Sequence, residues 1–202
     1  WFVANYSVPY DRSGRGFNLR FFAGTFIFSN ANLLNNYEFK LSGTTGSQDY
    51  LYENIYLGRF ESIKANGNSL LARQFIKDQG GFATYAPSIS TDNWMLSITA
   101  STAIPKLPLR LYGTIATYEN AGDVKWSVVS KDNKIKTIQS DQFAYETGFE
   151  FNINDVFIVY FPLVTSSDLK EISNCLTSNY GEKIRFTLRL NNLNLFEKIY
   201  DL

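Results

Sequence analysis

Apolar and polar residues alternate with period two along much of the chain. Near the C-terminus Ile184, Phe186, Leu188 and Leu190 fall on one side of an extended backbone, and Lys183, Arg185, Thr187 and Arg189 on the other. Successive side chains of a strand point to opposite faces, so this segment predicts a strand with one apolar side and one strongly charged side. Phe143, Tyr145, Thr147, Phe149, Phe151 and Ile153 likewise alternate with Ala144, Glu146, Gly148, Glu150 and Asn152. Leu109, Leu111, Gly113 and Ile115 alternate with Arg110, Tyr112, Thr114 and Ala116. Phe17, Leu19, Phe21, Ala23 and Ile27 oppose Asn18, Arg20 and Gly24, while Trp94, Leu96, Ile98 and Ala100 oppose Asn93, Ser97, Thr99 and Ser101.

The alternating stretches run about nine to twelve residues, which at a tilt near 45° crosses a bilayer core, whereas strands of soluble domains average about five or six. Turn-forming residues separate them at Asp11–Gly16, Ser42–Gly46, Ala65–Asn68, Ile104–Pro108 and Asn152–Asp155, the last a tight hairpin. Two longer inserts, about Ser62 to Asp92 and Glu119 to Gln142, read as loops with local structure. Ser167 to Leu176 predicts one short helix, with Ser167 as cap, Asp168 in its first turn and Leu169, Ile172 and Leu176 on one side. The strand count comes to about eight or nine, enough to close a small barrel or to form part of a larger one.

Composition narrows the class. Aromatic residues make up 16% of the chain at a mean hydropathy of −0.18, a combination that suits lipid-facing apolar residues alternating with polar lumen residues. Trp1, Tyr6, Tyr10, Tyr50, Tyr52, Tyr56, Trp94, Tyr118, Trp126 and Tyr160 stand near predicted strand ends, where a barrel carries its interfacial aromatic girdles. The 19 basic and 19 acidic residues cancel, leaving no electrostatic case for a nucleic-acid partner. No apolar run approaches the roughly 18 to 20 residues of a membrane-spanning helix. The chain opens on Trp1 with no initiator Met and no secretion-signal pattern, which reads as a mature or internal piece with any export signal upstream.

Candidate chemistry is mostly excluded. The chain has no histidine, so it lacks the usual general base, zinc ligand and pH switch, and a Ser-His-Asp triad cannot be assembled. Cys175 is the only cysteine, so neither an intrachain disulfide nor a CxxC site is possible. Glu146 and Glu150 are not a glycosidase pair, since two strand residues four apart stand roughly 13 Å from each other. The glycines around Gln79–Phe82 and Ser42–Gly46 lack the lysine and the strand-to-helix setting of a phosphate loop.

The informative constellation is Arg20, Arg110, Glu146, Glu150, Arg185 and Arg189, each in mid-strand opposite the apolar face. Charges in lipid are costly, so these side chains are expected in a polar lumen, paired across strands as filling or arrayed as a selectivity ladder.

The stretch Tyr50–Glu61, followed by Gln79-Gly80-Gly81-Phe82 and Asp92-Asn93-Trp94-Met95-Leu96, resembles the C-terminal membrane region of large aminopeptidase N-like zinc-peptidase proteins of Gram-negative bacteria. Leu107–Tyr112 and Lys183–Leu188 are similar as well. The resemblance implies a barrel, or part of one, following a periplasmic or surface peptidase domain. That peptidase uses an H-E-x-x-H zinc motif, which no position here can carry, so no catalytic residue transfers.

The expectation is an all-β protein, an antiparallel transmembrane β-barrel or the C-terminal part of one, with one short loop helix and a single unit over residues 1–202. It would anchor or scaffold a larger protein in the bacterial outer membrane, its partners being membrane lipid and other outer-membrane or periplasmic proteins. No catalytic, cofactor-binding or metal residue is assigned. Two alternatives stay open: a stand-alone small barrel acting as pore or ligand carrier, and a soluble β-barrel or sandwich binding module with its apolar face inside.

Overall fold

A computed structural model describes residues 1–10, 15–27, 39–40, 74, 76, 82–84, 90–130, 132, 134–153, 156–177 and 179–188. The described strands are β1 (Phe2–Pro9), β2 (Gly16–Thr25), β3 (Phe39–Lys40), β4 (Ser90–Thr91), β5 (Trp94–Ala103), β6 (Leu109–Tyr118), β7 (Lys125–Val129), β8 (Ile135–Gln139), β9 (Ala144–Ile153), β10 (Phe157–Thr165) and β11 (Arg185–Leu188). Helix α1 (Ser167–Leu176) and a 3-10 turn (Tyr180–Lys183) separate β10 from β11. The eleven strands among the described residues exceed the eight or nine expected because two short two-stranded pairs, β3–β4 and β7–β8, stand outside the main sheet.

Seven strands form one antiparallel sheet in the order β1-β2-β5-β6-β9-β10-β11. Every pairing in it is antiparallel, and among the described residues none joins β1 to β11. The predicted turns at 11–16, 104–108 and 152–155 fall between paired neighbours, while those at 42–46 and 65–68 lie outside the described residues. The chain reverses between β5 and β6 through Ile104–Pro108, where the Ile104 N–H donates to the Leu109 carbonyl at 2.8 Å and Lys106 takes a φ of +68°. Strands β9 and β10 form the expected hairpin, with the Val156 N–H donating to the Ile153 carbonyl at 3.1 Å.

Register is regular except in β10, where it shifts between Pro162 and Val164. Proline has no N–H to give to a ladder, so a bulge is where a strand accommodates it. Gly148 lies opposite Pro162, and a Cβ there would run into the carbonyl oxygen of Phe161. The close approach of β9 and β10 at the bulge therefore depends on glycine.

Helix α1 occupies the predicted residues, but its cap is different. Ser166, not Ser167, is the cap residue, and its side chain makes no cap hydrogen bond. Asp141 takes that role from across the fold, its Oδ2 accepting from the Ser167 N–H at 2.7 Å. Lys183 belongs to the 3-10 turn rather than to the last strand and donates to Asn174 Oδ1 at 2.9 Å. Arg189, Leu190 and the Tyr50–Glu61 stretch lie outside the described residues.

Directly opposed residues of antiparallel strands share a face, so register assigns every side chain of the sheet. One face carries the rows Phe21, Ile98, Ile115, Tyr145 and Ala23, Leu96, Thr117. The other carries Phe22, Ser97, Ala116, Ala144 and Arg110, Glu150, Tyr160, Arg185. Apolar packing concentrates on the second face. Phe22, Phe39, Phe82, Met95, Ala116, Tyr118, Ala144 and Leu169 form the main cluster, and Ile76, Ala83, Tyr112, Ile158 and Tyr160 a second. Ile138, Ile172 and Cys175 join α1 to the β7–β8 hairpin.

Candidate functional site

The two faces differ in an unusual sense. On the outer face Leu96 is 40% exposed, and Ile98, Ile115 and Tyr145 are each 43% exposed. On the inner face Glu146 is 1%, Arg185 6% and Glu150 9% exposed. Apolar side chains thus stand outward along strands nine or ten residues long, and the charges point into the covered side.

The five described members of the predicted charge set all lie on the inner face, but they do not form a uniform ladder. Arg110 and Glu150 are register partners on β6 and β9, and their Nε and Oε1 atoms lie 3.7 Å apart. Arg110 also donates from Nη2 to Ser101 Oγ at 3.1 Å. The Arg20 guanidinium sits 5.8 Å from the centre of the Phe22 ring, two residues along the same strand face. The Arg110–Glu150 pair matches the expected filling by cross-strand pairs.

Glu146 and Arg185 turn instead to main chain. The Glu146 Oε1 accepts from the Ala83 N–H at 2.9 Å and its Oε2 from the Thr84 N–H at 2.6 Å. Removing a carboxylate from water costs several kcal/mol unless donors replace the hydration, and charge-assisted bonds to N–H groups are among the stronger replacements. Arg185 donates from Nη1 to the carbonyls of Glu182 at 2.6 Å and Ile184 at 3.2 Å. It is thereby anchored beside the 3-10 turn that precedes its own strand.

The inner face is covered by described residues of the insert between β2 and β5. Ile76 donates its N–H to the Phe186 carbonyl at 2.8 Å, and its own carbonyl accepts from Thr187 Oγ1 at 2.9 Å. Gln74 Nε2 donates to the carbonyls of Gly181 and Ile184 at 2.8 and 2.9 Å. Phe82 is fully buried against Phe22, Met95 and Leu169. Sequence reasoning missed these residues, because a main-chain donor leaves no mark in a residue pattern. Phe22, Met95, Tyr112, Tyr118, Ile158 and Tyr160 did leave one, as large apolar or aromatic residues on the polar side of their strands.

That placement corrects part of the aromatic girdle. Tyr118 and Tyr160 are buried on the inner face at 2% and 9% exposure, and Tyr160 meets Tyr112 edge-on with ring centres 5.6 Å apart. Trp1, Tyr6, Tyr10 and Trp94 are exposed, and Trp126 is half-buried. Tyr50, Tyr52 and Tyr56 lie outside the described residues.

Near α1, Asp168 is buried, and its Oδ1 accepts from Ser166 Oγ at 2.6 Å and from the Leu169 N–H at 2.7 Å. Burial pushes its carboxyl above the ordinary aspartate range, against the opposing pull of those two bonds. Cys175 is buried between α1 and β8. No helix among the described residues is long and apolar enough to cross a membrane, which does not bear on crossing by strands.

Comparison of the chain with protein-family models, with curated proteins and with solved structures finds no match.

Proposed function

We propose that this chain is a transmembrane β-barrel, or the C-terminal part of one, that anchors or scaffolds a larger protein in the bacterial outer membrane. The observation that carries the reading is an outer face of exposed apolar side chains, while Glu146, Glu150 and Arg185 are covered on the inner face beside the apolar clusters. A soluble sheet or barrel buries its apolar face and gives its charges to water. Soluble monomers rarely expose contiguous apolar patches beyond a few hundred Å², and here the apolar rows continue across the seven-stranded sheet. Lipid is the solvent in which such a face is stable, and strands of nine or ten residues match its thickness.

Anchor is favoured over pore by what covers the inner face. Phe82, Ile76 and Leu169 fill it with apolar packing, and Glu146 is spent on main-chain donors rather than turned to a channel. On the reading suggested by the zinc-peptidase resemblance, the anchored chemistry lies upstream. The test is tryptophan quenching with Trp1 and Trp126 changed to Phe, leaving Trp94 on the exposed face. Brominated acyl chains are expected to quench Trp94 in reconstituted vesicles. A chain that folds to the same sheet in detergent-free buffer and leaves Trp94 unquenched by added vesicles would sink the proposal.

A further inference from the structure

The seven strands of the main sheet are joined by six connections, and register fixes the end of the sheet at which each one lies. Pro9 pairs with Gly16, Ala103 with Arg110 and Ile153 with Phe157. The three short connections, residues 10–15, 104–108 and 154–156, therefore all join strands at one end. Thr25 pairs with Trp94, Ala116 with Ala144 and Thr165 with Glu146. The three long ones, residues 26–93, 119–143 and 166–184, all leave strands at the other end. An antiparallel meander must alternate ends, but nothing in sheet geometry sorts short links to one end and long ones to the other.

The described parts of the long connections gather into one packed body at their end. Helix α1 meets β8 through Ile172, Cys175 and Ile138, and Glu171 on the helix lies 3.0 Å from Lys136 on β8. Phe39, Phe82 and Leu169 pack on Phe22, Met95 and Tyr118, which stand close to that end of their strands. Toward the turn end the inner face carries Ser7, Asn18, Ser101 and the Arg110–Glu150 pair instead, and Ser7 and Asn18 are exposed there. Outer-membrane barrels have short turns on the periplasmic side and longer loops on the outside. We infer that the end carrying α1 and the β7–β8 hairpin faces the cell exterior and the turn end faces the periplasm. The packed cap then covers the inner face from outside, and its polar part meets periplasmic water. The inference rests on the membrane reading and adds a direction to it.

The test uses the full-length protein in the outer membrane of a Gram-negative host, with one cysteine added by Leu107→Cys at the turn end or by Ile135→Cys on the cap. Both side chains are exposed, at 47% and 73%, while the native Cys175 is buried, so the wild-type chain serves as background. A polyethylene-glycol maleimide too large for porins is added to intact cells and to cells with a permeabilised outer membrane. Ile135→Cys is expected to label to the same extent in both, and Leu107→Cys only after permeabilisation. The reverse pattern would overturn the orientation and leave the membrane reading standing. Labelling of both variants in intact cells, or of both only after permeabilisation, puts the two ends on one side of the membrane and overturns the membrane reading with it.

Discussion

Ile98 stands in a cross-strand row with Phe21 and Ile115, pointing away from the covered face at 43% exposure. On the proposed membrane reading, arginine there is expected to destabilise the protein by about 2–4 kcal/mol, the midplane cost of a lipid-facing cation. Denaturant unfolding in vesicles checks it, and a loss under about 0.5 kcal/mol, ordinary for a surface site in water, would place the row outside lipid. Asp168 gives a prediction of the opposite kind. Its carboxyl is raised above the ordinary value of 3.8, so the folded state holds this proton more tightly than the unfolded chain. Its stabilising contribution is complete below the unfolded value and is lost as pH rises through the folded one. Asp168→Asn keeps the Oδ1 acceptor used by Ser166 and Leu169. It should flatten the decline in unfolding midpoint as pH rises above the ordinary aspartate value of 3.8, and an unchanged slope would assign that decline to other groups. At this scale the sequence was informative about face and silent about partner. Alternation placed Arg110 and Glu150 on one side, and strand pairing then brought them together. Nothing in the pattern could have assigned Glu146 to the N–H groups of Ala83 and Thr84, because main-chain donors are the same in every residue.

Strand β10 and helix α1 show how an element takes its form from chain far away in sequence. The β10 bulge follows from Pro162, and Gly148 on β9 is the residue that lets the two backbones close up. Gly148→Ala is therefore expected to disturb β9 and β10 locally. Faster amide exchange at Phe149 and Phe161 with Ile98 unaffected would show it, and an unperturbed hairpin would mean the bulge can give way cheaply. Helix α1 was legible from its own residues, with Leu169 and Ile172 on its buried side. Its cap was not, since the acceptor is Asp141, which reaches the helix only through the fold. Asp141→Ala is expected to cost about 1 kcal/mol, the usual loss on removing an N-terminal cap acceptor, read from thermal or denaturant unfolding. A loss near zero would show that another acceptor or solvent serves the Ser167 N–H equally well.

For the molecule as a whole, period-two patterning made the long strands and their two faces readable, and turn residues marked β5–β6 and β9–β10 as neighbours. That the charged face is the covered one followed from the cost of charge in lipid, but what covers it was not readable, because Phe39, Ile76 and Phe82–Thr84 come from an insert with no regular hydrophobic period. The direct pairing of β2 with β5, from Phe17 opposite Thr102 to Thr25 opposite Trp94, was equally hidden. Those strands are hydrogen-bonded neighbours, yet residues 26–93 lie between them. Joining them requires closing a large loop, an entropic cost that must be met before any ladder bond forms, while the β9–β10 and β5–β6 hairpins close over a few residues. Chains dominated by such distant contacts fold slowly, and their local hairpins have time to form first. Pulse-labelled refolding should accordingly protect Phe149 and Val159 before Leu19 and Phe21. Strands β1 and β2 would then be the last to join, leaving the apolar edge of β5 open to other chains for the longest time.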